Sequence, residues 1–230
     1  GFPPNFIQAK TVRDAAAMLD WVSLPQPGDP FVIPRPAEKY ADLAKKAPGR
    51  LRVGIVLDEL LDVKVDPEVA KAVEAAGRVL AEQGHSVEIA SADMGGRPTI
   101  FAMQDLFFFG FDVRIDGYAR KTGLKPGPDT LEPVILSLYE DAKSISPARF
   151  MAALAQANIA RRKLGAFYTK YDIWLSPTNS RVSEPWGNYN LSKPGVGAEN
   201  NASELFCIPC QYTIPHNIMG TPAMSLPLAM

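Results

Sequence analysis

Between residues 51 and 90 an apolar run, an amphipathic segment and a second apolar run follow one another, and few folds accept that order. Leu51-Arg-Val-Gly-Ile-Val-Leu is short and rich in β-branched residues, the pattern of a buried strand. Asp66 stands at an N-cap position, Pro67 at the first helical one, and Glu68 complements the positive end of the helix dipole. Val69, Ala72, Val73, Ala76 and Leu80 recur at helical spacing as one buried stripe, and Gly84 ends the segment. Ser86-Val-Glu-Ile-Ala reads as a second strand. Strand, helix and strand in this order make a βαβ unit, which implies a parallel pair and a right-handed crossover. The loop after the first strand, Asp58-Glu-Leu-Leu-Asp-Val-Lys, has no glycine, so phosphates gain no close approach to backbone amides and a nucleotide site fails there.

The flanking segments divide by the same criteria. Thr11 and Asp14 match a capping box, followed by Val12, Ala15, Ala16, Leu19 and Val22 on one helical face. Pro25-Gln-Pro-Gly-Asp-Pro stops that helix. From Pro98 to Gly123 the chain is apolar and aromatic, with Phe101, Leu106, Phe107, Phe108, Phe109 and Phe111 close together. Four phenylalanines within five residues cover all sides of a helix, so one face belongs in a core and another in a cleft or interface. Lys121 to Thr130 is a loop, Leu131 to Lys143 a short helix, and Ser146-Pro147 opens a long one. That helix carries Phe150, Leu154, Ala157, Leu164 and Tyr168 inward and Arg161, Arg162 and Lys163 on its solvated face. Tyr171 to Thr178 is another strand, 179–204 a long polar loop, and Pro222-Ala-Met-Ser-Leu-Pro-Leu a last strand.

Charge and cysteine usage exclude several classes of function. Lys plus Arg number 24 against 25 for Asp plus Glu, a net charge of -1, which offers neither nucleic acid nor an anionic membrane an electrostatic footing. No apolar run approaches the ~20 residues of a membrane span, and the longest, Leu106 to Phe111, is broken by Gly110. The first residues, Gly-Phe-Pro-Pro-Asn, lack the basic and apolar regions of a signal peptide. Cys207 and Cys210 form a lone Cys-x-x-Cys, whereas a zinc site needs about four ligands and only His85 and His216 are available besides. With Pro209 inside the motif, both read as reduced structural thiols, and a reducing cytoplasm is expected.

Five pieces of the chain are similar, in order and spacing, to the amidase-signature family. They are Lys10-Thr-Val-Arg-Asp-Ala-Ala-Ala-Met-Leu-Asp, Pro27-Gly-Asp-Pro, the βαβ unit with Val65-Asp-Pro-Glu-Val, Leu175-Ser-Pro-Thr, and Asn217-Ile-Met-Gly-Thr-Pro-Ala-Met-Ser-Leu-Pro. The last resembles the family's Asn-x-x-Gly-x-Pro-Ala-x-Ser-x-Pro element and is the most specific. The middle region most resembles the branch that contains 6-aminohexanoate cyclic dimer hydrolase. The resemblance implies an α/β fold with a mixed central sheet flanked by helices, of which residues 1–230 form one fragment truncated at both ends. It also implies hydrolysis of a small linear or cyclic amide by a serine, a second serine in a cis peptide, and a lysine, without metal or organic cofactor. The family's Gly-Gly-Ser-Ser-Gly-Gly stretch has no match here, since Gly95-Gly96 is followed by Arg97 and no serine pair occurs. No catalytic residue is therefore carried over, and the chain by itself is expected to be inactive.

Two serines imitate a nucleophile. Ser225 lies between Met224 and Leu226 without a glycine-flanked elbow, and Gly84-His85-Ser86-Val87-Glu88 lacks the second glycine of such an elbow, so both read as structural. His85 follows a helix end, and His216 has no nucleophile signature to serve. Loops at strand ends are where α/β proteins place ligand contacts. Thr178, His216 and Asn217 are accordingly candidate substrate-binding residues, with Phe107, Phe108 and Cys210 as neighbours. An open sheet edge, where further strands would pair, offers a route to a homo-oligomer and a rival reading as a binding or assembly module. A third reading, as one component of an amidotransferase, shares the same late elements.

Overall fold

A computed structural model describes residues 6–190, 192, 193, 195, 197, 198 and 210–228, in two compact units, Pro3–Arg50 and Leu51–Met230. The smaller unit holds α1 (Val12–Val22) and α2 (Tyr40–Leu43). Thr11 caps α1 as expected, its hydroxyl accepting from the Asp14 amide at 3.1 Å. Asp14 does not reach back; its carboxylate is taken by the Arg13 side chain at 3.2 Å. Asp20 ties the two helices, accepting from the amides of Tyr40 and Ala41 at 2.8 and 3.1 Å and so capping α2 from a distance. No residue of α1 is fully buried: Ala15, Ala16 and Leu19 of its apolar stripe are half-buried, and Val12 and Val22 are exposed.

The larger unit is built on the βαβ element, with β1 (Arg52–Val56), α3 (Pro67–Glu82) and β2 (Ser86–Ala90) within a residue or two of the expected bounds. β3 (Ile173–Leu175) pairs on the other side of β1, giving the order β2-β1-β3. Both pairings are parallel, with Val53 opposite Val87 and Ile173, so the expected mixed sheet is parallel throughout among the described residues. β1 is central and buried from Val53 onward, which is why it lacks polar alternation.

Helices cover both faces of the sheet, and two glycines set how closely. Gly77 of α3 lies against Ile55, where a Cβ would stand 2.5 Å from Cδ1. Gly54 faces the opposite way, where a Cβ would stand 2.7 Å from the Phe167 ring and 2.9 Å from the Ala90 Cβ. Phe167 opens α8 (Phe167–Lys170), which follows the long α7 (Pro147–Gly165). Val56, Leu164, Phe167, Met94, Ile100, Met103, Tyr212 and Ile218 meet in one core on that face.

Several local expectations are corrected by tertiary partners. Asp66 occupies the N-cap position of α3, but its carboxylate accepts from the Val182 amide at 3.3 Å instead of capping the helix. The aromatic stretch is two helices, α4 (Arg97–Phe108) and α5 (Phe111–Thr122), because Gly110 adopts a left-handed conformation at φ 74°. The buried stripe of α7 is Ala153, Ala157, Ala160 and Leu164, while Leu154 is 36% exposed. Small residues there let α4 approach, an approach held by Arg149 Nε donating to Asp105 at 2.8 Å and by Gln156 donating to Thr99 at 3.1 Å. Arg161 is not simply solvated; its Nε donates to the Ile218 carbonyl at 2.9 Å. The expected strand over 222–228 forms no ladder among the described residues, and Pro222 and Pro227 remove two of its donors. α6 (Pro133–Ala142) and the Ser146 cap of α7 fall where the sequence places them.

β3 is fastened to β1 by a polar clasp with a pH signature. Asp172 accepts from Arg52 Nη2 at 2.7 Å and from the Arg52 amide at 2.8 Å, and these bonds, the guanidinium first, hold its carboxyl at about 2 against an ordinary 3.8. A lowered acid pKa stabilises the fold above the unfolded value, and that contribution disappears as pH falls through the folded one. Stability measured by urea unfolding should therefore drop between roughly pH 4 and 2, and Asp172→Asn should flatten this part of the profile. An unchanged slope in Asp172→Asn would remove the clasp from the account.

Candidate functional site

Ile100, Met103, Gln104, Phe107 and Phe108 recur at helical spacing and share one face of α4. Opposite them, Cys210, Thr213, Ile214 and Asn217 share a face of the turn and short helix α9 (Ile214–Met219). Together the two faces enclose a cavity of about 170 Å³. Of the expected site residues, Phe107, Phe108, Cys210 and Asn217 are on its wall. None of the lining residues carries a carboxylate, amine or guanidinium, so the cavity is suited to neutral hydrocarbon. Phe108 also meets Phe111 edge-on, with ring centroids 5.3 Å apart.

His216 and Thr178 do not line this cavity. His216 belongs to α9, not to a loop before a strand as the sequence suggests. Its ring stands edge-on to Trp174 at 5.3 Å, and its Nδ1 lies 3.1 Å from the Thr221 hydroxyl. Thr178, past the end of β3, has its hydroxyl 2.7 Å from that of Ser225. Ser225 is exposed and bonded to Thr178, and among the described residues no hydrogen bond joins it to a histidine, so a serine–histidine pair is not assembled. The indole Nε1 of Trp174 is buried without a partner among the described residues.

The Amidase family model matches residues 5–230. This chain belongs to the amidase family. The 6-aminohexanoate-cyclic-dimer hydrolase of Paenarthrobacter ureafaciens is 29% identical over 228 residues, covering 96% of this chain and 46% of that protein. A glutamyl-tRNA(Gln) amidotransferase component of Picosynechococcus sp. is 26% identical over 242 residues, covering 95% of this chain and 47% of that protein. A solved structure of 6-aminohexanoate cyclic dimer hydrolase complexed with substrate superimposes with a TM-score of 0.81 at 26% identity, over 92% of this chain and 45% of that one. The chain thus spans about half the length of the curated relatives it matches. The family and the branch expected from the sequence both hold.

Electrostatics favour neutral forms near the cavity. Burial pushes the Cys210 thiol up, against a smaller opposing effect of Thr213, so it is a thiol and not a thiolate nucleophile near neutral pH. Burial lowers His216, keeping its ring uncharged at neutral pH. Cys207 lies outside the described residues, so the Cys-x-x-Cys pairing has no structural account. Among the described residues no three His, Cys, Asp or Glu side chains converge to hold a metal, and no helix is long and apolar enough to cross a membrane.

Residues behind the cavity wall are not singled out by the sequence. Gln211 is fully buried, donating to the Val63 carbonyl at 2.8 Å and to the Ser180 hydroxyl while accepting from the Leu61 amide at 3.3 Å. Tyr212 donates to the Asp58 carbonyl at 2.9 Å. These bonds anchor the turn that presents Cys210 and Thr213. The helical spacing of Ile100, Met103 and Gln104 with Phe107 and Phe108 is a usable signal for one wall, and that of Thr213 and Ile214 with Cys210 and Asn217 for the other.

Proposed function

We propose that this chain supplies a substrate-cleft wall and part of the central sheet of an amide hydrolase acting on a small linear or cyclic amide. The carrying observation is the uncharged cavity between α4 and α9, in a chain whose fold superimposes on that of a hydrolase complexed with substrate. Hydrolysis of an amide needs a polarised nucleophile and an oxyanion site. The serine, cis-serine and lysine of such a mechanism have no match in these residues. Phe107, Phe108, Cys210 and Asn217 are assigned to the cavity wall, whereas Thr178 and His216 lie off it, beside Ser225 and Trp174. No metal or organic cofactor enters this reading. The chain alone should show no amide hydrolysis above buffer, by release of primary amine. Turnover that disappears in Ser225→Ala would overturn the assignment.

One observation favours a second reading, that of a binding or assembly module. Apolar side chains lie open on β2 and on the segment after α9: Ile89 is 66% exposed, Met224 60% and Leu228 64%. Self-association through such surfaces would give a homo-oligomer. Light scattering after size exclusion separates the two, because a monomer over a hundredfold range of concentration (roughly 1–100 μM) leaves no room for self-association. The likeness to an amidotransferase component supports a third variant, in which ammonia passes to a partner; co-purification of a partner chain would favour it.

A further inference from the structure

We propose that His85 is a proton-operated clasp on the start of the central strand, holding the Leu51 amide as the uncharged ring and releasing it as the imidazolium. The inference is independent of the amide-hydrolase reading. Its basis is where the amides at the start of β1 go. The Arg52 amide donates to the Asp172 carboxylate, on the β3 side, at 2.8 Å, and the Leu51 amide donates to His85 Nδ1, on the β2 side, at 3.2 Å. The β1–β2 ladder accounts for the second bond. Pairing begins with Arg52 opposite Ser86, and the Ser86 amide donates to the Leu51 carbonyl at 2.8 Å. One position earlier a continuing strand would offer the Leu51 amide a backbone carbonyl. Gly84 turns there instead, with φ 92°, and the His85 ring takes the carbonyl's place.

Chemistry makes this bond conditional on a proton. An amide donates to an imidazole nitrogen only where that nitrogen keeps its lone pair, so the ring proton belongs on Nε2; in the imidazolium both nitrogens are donors. A protonated His85 therefore meets the Leu51 N–H donor to donor. The neighbouring charges do not rescue it. Arg50 and Arg52 flank Leu51, and Asp172 is already taken by Arg52 at 2.7 Å. On β2, Glu88 accepts from the Tyr171 hydroxyl at 2.6 Å. Glu82 ends α3, and no ion pair among the described residues includes His85. Histidine side chains ordinarily change charge between about pH 5 and 8, so the clasp holds at the upper end of that range and opens toward the lower. What it fixes is a junction. Residues 47–50 have no regular structure, Arg50 ends the smaller unit and Leu51 begins the larger, so opening lengthens the free connection between them.

Two NMR measurements on this chain test the clasp. Long-range proton–nitrogen correlation of the imidazole should find the His85 proton on Nε2 at about pH 8. Exchange of the Leu51 amide, taken relative to an unstructured peptide at the same pH, should be about five- to tenfold less protected at about pH 5 than at about pH 8, the effect of one lost hydrogen bond. The Ser86 amide, whose acceptor is a backbone carbonyl, should change by less than about twofold. Asp172 stays ionised over this range, because Arg52 holds its carboxyl at about 2, so its clasp contributes no change. His85→Asn, whose side-chain carbonyl stands in for Nδ1 without titrating, should keep Leu51 protected at both pH values, and His85→Leu should leave it unprotected at both. The proposal is overturned if Nδ1 carries the proton at the higher pH, if Leu51 is equally protected at both, or if Leu51 and Ser86 lose protection together. A pH response of His85→Asn equal to that of the wild type would overturn it as well. The tautomer and the wild-type exchange need no variant, so a substitution that fails to fold leaves the test decisive.

Discussion

Gly54→Val should destabilise the larger unit by about 3 kcal/mol, seen as a lowered urea midpoint with little change in slope. Gly54 sits in the central strand, and a Cβ there would stand 2.7 Å from the Phe167 ring and 2.9 Å from the Ala90 Cβ. The ring could tilt, but Phe167 is packed against Tyr168, Tyr171 and Trp174 with centroids 4.7 to 5.3 Å away. Ala90 has nowhere to move, because its Cβ is fixed to the paired strand β2. Against a domain stability of about 5–15 kcal/mol the loss is large. Gly77→Ala provides the contrast. Its Cβ would meet the end of the flexible Ile55 side chain, and alanine favours a helix interior, so a cost of about 1 kcal/mol or less is expected. Wild-type stability of Gly54→Val would mean that Gly54 does not set the spacing between the sheet and Phe167.

Gln211→Leu is the second large effect, also about 3 kcal/mol, although it conserves volume. Leucine cannot serve the Leu61 amide, the Val63 carbonyl or the Ser180 hydroxyl, and the site is closed to water, with Gln211 and Ser180 both 0% exposed. Each buried polar group left unmade costs roughly 1–3 kcal/mol. Ser180→Ala removes one partner only and should cost about 1 kcal/mol. Thermal or urea unfolding of the two variants checks the ratio. Equal stability of Gln211→Leu and the wild type would show that the turn before α9 is held by apolar packing alone.

The βαβ unit is legible because its signals are local: strand, helix and strand periodicities follow within one short segment and no distant residue has to be known. The family motifs are legible for the same reason. Local signals fail wherever a distant group takes over. Asp66 has the sequence of a cap, but the Val182 amide, far along the chain, claims its carboxylate. The stripe of α7 is misplaced by hydrophobic patterning, which weights Phe150 and Leu154 over Ala153 and Ala160, whereas close approach to α4 selects the small residues. Gly110 reads as an interruption, yet a positive φ is a backbone fact and the division into α4 and α5 follows from it.

The site is half legible. Phe107, Phe108, Cys210 and Asn217 line the cavity, and each stands out by motif or composition. Thr178 and His216 group with them by position at strand ends, but they face Ser225 and Trp174. Which helical face meets which is a property of packing, so the pairing of α4 with α9 is not written in either alone. Gln211 escapes notice because a buried glutamine looks like any surface one until its partners are placed.

The most direct test of the amide-hydrolase reading is a chimera. This chain would replace the matched segment of the Paenarthrobacter ureafaciens hydrolase, of which it covers 46%. Hydrolysis of a 6-aminohexanoate cyclic dimer would be followed by amine release, beside the isolated chain. Turnover by the chimera and none by the chain alone is the expected result. A folded chimera without activity, or an isolated chain that hydrolyses the amide through Ser225, would contradict it.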